Sequence, residues 1–195
     1  MKTYIAQIFK IILLTLSGAI GAIVFGLLAY GSAVFTLMSP GFSFVSFGIS
    51  GALIFAFYHV RGVSEAITAA AVISAAQLVA SSAYITMLRA VLFSFGLNFP
   101  VVVLAFVFER KLVSLRWLKF AVVGLTYGAM FVLLTLVAGL FAGSAGLPAS
   151  LFRDNFVDGL LLGAGLGLGV EGGEALLHSL EHPATGTGAP AGRAS

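Results

Sequence analysis

The chain has 195 residues, of which 60% are hydrophobic and 9% are charged, and it contains no cysteine. Soluble domains usually carry about 25% charged residues, and a water-soluble fold of this size could not hide so much apolar surface. Composition therefore excludes a soluble domain and predicts an all-α, polytopic membrane protein. The ten basic residues are scattered between apolar blocks, which argues against nucleic acid as a partner. The absence of cysteine excludes disulfides, thiol catalysis and cysteine-bound metals.

Six apolar segments are candidates to cross the roughly 30 Å of membrane hydrocarbon. They cover approximately residues 11–30, 42–60, 67–88, 90–108, 120–141 and 156–170. Ser39-Pro40-Gly41 separates the first two, as is typical of a turn. Between the third and fourth, either Arg89 marks the turn, or residues 93–99 form it and Pro100 starts a helix. The second interpretation leaves only nine residues before Glu109, too few to cross, so we expect the turn at Arg89.

The basic residues indicate how these segments are oriented. If the N-terminus is cytoplasmic, eight of them lie in cytoplasmic segments and only Arg89 and Arg153 lie outside. This positive-inside bias predicts an even number of spans with both termini in the cytoplasm, in a membrane such as the prokaryotic inner membrane. The first apolar run exceeds the 7–15 residues of a signal-peptide core, so we expect an uncleaved span. Residues 1–182 are then a single six-helix domain, and residues 183–195, rich in Pro, Ala, Gly and Thr, are a disordered cytoplasmic tail.

Small residues recur every four positions in two segments. The first contains Gly18, Ala22 and Gly26, and the sixth contains Gly159, Gly163 and Gly167. Such stripes let membrane helices approach closely. They serve either contacts within the bundle or docking of another membrane subunit or a second copy of the chain. A G-x-G-x-x-G match at residues 167–172 lies within an apolar helix without a preceding strand, so it does not indicate a phosphate-binding loop.

Polar side chains at membrane depth are costly and are the first functional candidates. Ser74, Ser81 and Tyr84 share one helix face with Gln77. Asn98 precedes Pro100, which frees a backbone carbonyl that the amide could satisfy. Tyr127 and Asp158 complete a candidate solute pocket in later segments, and Arg89 or Arg153 could neutralise the aspartate. The alternatives are hydrogen bonds between helices and, for Asp158, an interfacial carboxylate that reaches water.

Two further groups lie near the expected cytoplasmic side. Glu171, Glu174, His178 and His182 share a helical face and are weak candidates for metal ligands, or else form a solvated amphipathic end. The segment 109–119 is basic and amphipathic, which predicts contact with anionic lipid or an acidic partner. Its contact residues are Arg110, Lys111, Arg116, Trp117 and Lys119.

In size, span number and cytoplasmic termini, the chain resembles the S-components of energy-coupling-factor vitamin transporters. That resemblance implies a solute site within the bundle and docking to a partner permease through a stripe such as Gly18, Ala22 and Gly26. The alternative is a non-catalytic structural or assembly subunit of a larger membrane complex. A membrane-embedded lipid enzyme is a third hypothesis, but the intramembrane serines have no evident base. We expect no enzymatic activity and no cofactor, and the lipid bilayer and a small solute as partners.

Overall fold

The computed structural model describes residues 2–36, 39–82, 87–110, 118–141 and 148–181. Within these ranges the chain forms six long helices, a short 3₁₀ helix at Gly31–Phe35, and no strand. The long helices are α1 (Lys2–Tyr30), α2 (Phe42–Arg61), α3 (Val63–Ser82), α4 (Met87–Arg110), α5 (Lys119–Phe141) and α6 (Ala149–Glu181). Each is long and apolar enough to cross a membrane. The predicted all-α fold with six spans is confirmed. The tail at 183–195 lies outside the described residues.

Five of the helices are longer than the predicted apolar segments, whereas α3 has 20 residues and ends before the predicted limit at residue 88. α3 ends at Ser82 and α4 begins at Met87, so α4 has already started when the chain reaches Arg89. Both predicted turns, at Arg89 and at residues 93–99, are therefore wrong, because these residues are helical. Pro100 lies inside α4, where it lacks a backbone donor. Membrane helices tolerate such a residue because neighbouring groups satisfy the freed carbonyl.

The short connections follow from local chemistry. Ser39-Pro40-Gly41 forms the predicted turn before α2, and the Ser39 hydroxyl accepts a hydrogen bond from the Phe42 N–H at 3.2 Å. Gly62, which follows the last residue of α2, has a φ of 100°, a conformation that favours glycine. The Gly62 N–H donates to the Tyr58 carbonyl at 2.9 Å. α3 therefore starts at the next residue.

The bundle has two parts that share α2. α6 packs between α5 and α1, and α1 packs on α2. α3 and α4 pack on each other and on α2, and α4 also meets α5. The largest buried side chains come from all parts of the bundle and include Phe44, Ile54, Leu97, Tyr127, Leu162 and Leu166.

The outer surface is apolar where a soluble protein would be polar. On α1, exposed side chains recur every fourth residue: Tyr4, Ile8, Ile12, Leu16, Ile20, Val24 and Leu28. An exposed apolar stripe of this length requires lipid as its solvent. The chain is therefore an integral membrane protein whose helices contact membrane lipid.

Candidate functional site

Polar side chains of α2, α3 and α4 meet inside the bundle. The Asn98 amide donates to Gln77 Oε1 at 2.7 Å and to Ser74 Oγ at 3.1 Å. Gln77 Nε2 in turn donates to Ser46 Oγ at 3.0 Å, and Ser74 Oγ donates to the Ser94 carbonyl at 2.9 Å. The predicted polar face of α3 thus points into the bundle, where Ser74 and Gln77 each accept a hydrogen bond from the Asn98 amide. The Asn98 amide bonds to α3 rather than to a carbonyl freed by Pro100.

The network leaves one strong acceptor unused. Asn98 is completely buried, yet its Oδ1 has no hydrogen-bond partner among the described residues. Buried polar atoms are nearly always hydrogen-bonded, and each exception calls for an explanation such as a bound molecule. The hydroxyl of Tyr127, on α5, is a second such atom.

A cavity of about 400 Å³ lies beside this network, at the end of the bundle where α2, α4 and α6 begin. Five helices and the turn before α2 contribute to its walls. Its neutral polar lining consists of Ser39, Ser43, Ser46, Gln77, Ser81, Ser94 and Asn155, and its charged lining of Arg89 and Asp158. If the predicted orientation holds, this end faces the outside of the cell.

Aromatic rings form the apolar part of the cavity wall. Phe131 of α5 makes edge contacts with Phe47 of α2 and Phe93 of α4, with ring centroids 6.4 Å and 5.9 Å apart. Edge-to-face pairs of this kind hold rings in defined orientations. The cavity therefore combines a fixed apolar wall with hydroxyl, amide and charged groups, as ligand pockets usually do.

Asp158 has a partner that the sequence did not indicate. Both of its carboxylate oxygens lie 2.6 Å from the hydroxyl of Tyr30, at the end of α1. Arg153 pairs with the exposed Asp154 at 3.1 Å, and Arg89 forms no ion pair within the described ranges. The expectation that Arg89 or Arg153 neutralises Asp158 is therefore not met.

Three other described pocket candidates, Ser74, Asn98 and Tyr127, do not line the cavity. Ser74 is fully buried behind Gln77 and does not line the cavity. Tyr127 is 2% exposed and also lies away from it, with its hydroxyl so close to Gly51 that a Cβ there would come within 2.8 Å. Tyr84 lies outside the described residues.

The small-residue stripes are filled by the chain's own helices. Added Cβ atoms at Gly159, Gly163 and Gly167 would collide with the backbone of α5, and at Gly18 and Gly26 with side chains of α2. Ala22 is completely buried and faces Gly48 of α2. The stripes therefore act as packing faces inside the bundle, which leaves none of these positions open for a permease or a second copy.

At the opposite end of the bundle, Lys119 and Glu174 form an ion pair at 2.5 Å. Lys119 is only 6% exposed and lines a cavity of about 110 Å³ together with His59. Its predicted place on the lipid or partner surface is wrong, because its ammonium points into the bundle toward α6. A second pair, between Lys10 and Glu181, lies nearby and is more exposed.

The structure describes only some of the other residues that were predicted to act at this end of the bundle. No group of three His, Asp or Glu side chains that could hold a metal occurs in the described ranges. Glu171, Glu174 and His178 belong to those ranges, and Glu174 binds a lysine instead. The remaining members lie outside the described residues or have undescribed side chains: His182, Arg110, Lys111, Arg116 and Trp117.

No protein-family model, curated protein or solved structure matches this chain.

Proposed function

We propose that the protein is a non-catalytic membrane subunit that binds a small polar solute in the cavity between α2 and α6, as part of a transport process. The observation that carries this proposal is the 400 Å³ cavity, which adjoins the Gln77–Asn98 network and has charged groups on its walls. Its volume falls within the range of about 300–1,000 Å³ found for small-molecule pockets. A molecule at this place would meet hydroxyl, amide and aromatic groups together.

Structural hydrogen bonding alone accounts for only part of this arrangement. Bonds between membrane helices contribute about 0.6 kcal/mol on average, so a few serines and amides suffice to hold a bundle in register. Holding the helices in register does not require a cavity beside the network. It also does not require that Arg89 and Asp158 line that cavity without forming an ion pair with each other. A solute site accounts for the cavity, for the two charged groups on its walls and for the lack of an ion pair between them.

Docking through the small-residue stripes does not support the assembly-subunit alternative, because α2 and α5 occupy these stripes. The same finding alters the likeness to energy-coupling-factor S-components, because Gly18, Ala22 and Gly26 pack inside the bundle. The proposed function therefore includes a solute site, as the resemblance to S-components implies, but no docking through this stripe.

The test is thermal unfolding of the purified protein in mild detergent across a panel of amino acids, vitamins and metal ions. A ligand present at 100 times its Kd stabilises the folded state by about 2.7 kcal/mol, which raises the melting temperature measurably. We expect at least one solute to do so. Gln77→Leu should abolish the shift, whereas Val72→Leu, on the lipid-facing side of the same helix, should leave it unchanged.

Two results would contradict the proposal. The first is an unchanged melting temperature with every solute in the panel. A protein partner that remains bound through purification would then favour an assembly role. The second is a solute shift that survives Gln77→Leu, because the solute would then bind outside this cavity.

A further inference from the structure

Two opposite charges share the cavity without neutralising each other. Arg89 projects from the first turn of α4 and Asp158 from α6, and both line the cavity. They do not come within 4.0 Å of each other, the limit for an ion pair. Arg89 is exposed and Asp158 is half-buried, and a counter-charge attracts each of them more strongly as a bound ligand displaces water. A ligand that carries both signs would supply one to each.

The carboxylate of Asp158 retains capacity for a ligand. Its contact with Tyr30 is a hydrogen bond from a neutral hydroxyl, which orients the carboxylate and leaves its charge in place. A carboxylate has about four lone-pair positions, so others remain for an ammonium group. The tyrosine thus fixes the direction in which Asp158 presents its oxygens.

Arg89 lies where two cavities meet. It lines the 400 Å³ cavity and also a neighbouring one of about 190 Å³, together with Phe93 and Asn155 in both. A guanidinium offers five donors in a planar fork that matches a carboxylate. At this junction it can bind a carboxylate that enters from either space.

The aromatic wall supplies the third element of recognition. The ring of Phe131 contacts those of Phe47 and Phe93, and all three line the cavity that holds the charges. Aromatic walls favour flat or apolar groups, which pack against the rings in offset or edge geometry.

We propose that the cavity selects a zwitterionic solute with an apolar or aromatic side chain, of the α-amino-acid class. Asp158 receives the ammonium, Arg89 receives the carboxylate, and the side chain packs on the phenylalanine wall. This inference rests on the proposed function and names the class of its solute.

Three compounds separate the charge requirements: L-phenylalanine, 3-phenylpropionate, which lacks the ammonium, and 2-phenylethylamine, which lacks the carboxylate. Binding is measured by thermal unfolding and isothermal calorimetry of the detergent-purified protein. We expect L-phenylalanine to bind, and each analogue to bind roughly tenfold or more weakly, because one of the two charged groups on the cavity wall then remains unpaired.

Variants then assign each charge to its partner. Asp158→Asn should reduce the preference for L-phenylalanine over 3-phenylpropionate, and Arg89→Gln the preference over 2-phenylethylamine. Asp154→Asn and Arg153→Gln are matched controls, since these residues pair with each other at the same end of the bundle and do not line the cavity. Both controls should keep wild-type preferences.

Tyr30→Phe provides a second test of this assignment in case the Asp158→Asn variant does not fold. It removes the hydrogen bond that orients Asp158 and keeps the carboxylate, so the preference for an ammonium should weaken but persist. Loss of that preference in Tyr30→Phe, with its carboxylate intact, would count against the assignment.

The outcomes distinguish this inference from the proposed function. Equal binding of the three compounds, or preferences unchanged in both charge variants, would overturn the zwitterion inference. A neutral solute that binds through Gln77 but is insensitive to Arg89 and Asp158 would also overturn it and leave the proposed function intact. Failure of every solute in the panel to bind would overturn both.

Discussion

The bundle is held together in two different ways. Where α6 packs between α1 and α5, glycines bring the helix backbones into direct contact, as at Gly163 against Val123 and Gly124. We call this region the glycine seam. Where α2, α3 and α4 meet, hydrogen bonds among Ser46, Gln77 and Asn98 link the helices, and a cavity remains.

The contrast shows how a membrane protein can combine rigidity with a binding site. In lipid, burial of apolar side chains gives helices little reason to associate, so close backbone packing and polar contacts must supply the attraction. Backbone contact in the glycine seam leaves no space for a ligand. Polar contacts between larger side chains can hold helices at a distance, and the remaining space has both polar and aromatic walls.

The largest expected effect comes from a single methyl group in the glycine seam. In Gly163→Ala, the new Cβ would lie 2.5 Å from the Val123 carbonyl oxygen and 2.8 Å from Gly124 Cα, and neither backbone atom can move aside alone. The helices must separate, which we expect to cost about 3 kcal/mol, at the upper end of overpacking penalties. Thermal unfolding in detergent measures the loss.

Gly172→Ala is the matched control on the same helix. A Cβ at this position has no neighbour within 4 Å. The change should be neutral or slightly stabilising, because alanine is a better helix former by about 1 kcal/mol. Equal melting temperatures for the two variants would show that the seam is not tightly packed.

An intermediate effect is expected from the buried ion pair that links α5 and α6. Lys119→Met leaves Glu174 without its partner in a mostly buried position, and we expect a loss on the order of 2 kcal/mol. Adding Glu174→Gln should recover part of the loss, since the unpaired charge is then gone. Lys10→Met, in the more exposed pair with Glu181, should cost under about 1 kcal/mol. A larger loss at Lys10 than at Lys119 would contradict this order.

The smallest effect on stability is expected in the polar network. Asn98→Ala removes two hydrogen bonds to α3 and should cost about 1 kcal/mol, since each such bond contributes about 0.6 kcal/mol on average. Solute binding should fall more clearly than stability, because Gln77 then loses the partner that orients it beside the cavity. A stability loss as large as that of Gly163→Ala would mean that the network is mainly structural.

The fold was accessible from the sequence because lipid imposes simple rules. Six apolar runs separated by breaks such as Ser39-Pro40-Gly41 specify six helices almost independently of how these pack. The face of α3 that carries Gln77 could also be recognised, since an isolated polar face at membrane depth must find partners inside the bundle. Asn98 was a candidate for the same reason.

Which side chains pair with each other could not be predicted from the sequence and was shown only by the structure. Tyr30 and Asp158 are 128 positions apart, and a tyrosine at the end of a span is also typical of an interfacial anchor. Lys119 and Glu174 are 55 positions apart, and each could have extended into water. Which of these side chains meet depends on the rotation of each helix about its axis, which glycine contacts in the seam determine and hydropathy does not.

The proposed solute site requires the cavity to be open to water on the outer side of the membrane. The chain has no cysteine, so single-cysteine variants can be labelled with a membrane-impermeant maleimide in intact cells. We predict that Ser43→Cys in the cavity is labelled from outside and that Gln7→Cys, in the cleft at the other end, is labelled only after permeabilisation. Val72→Cys on the lipid-facing surface should resist the reagent in both cases. Labelling of Gln7→Cys but not Ser43→Cys in intact cells would contradict the orientation, and protection of Ser43→Cys in both conditions would contradict the open cavity.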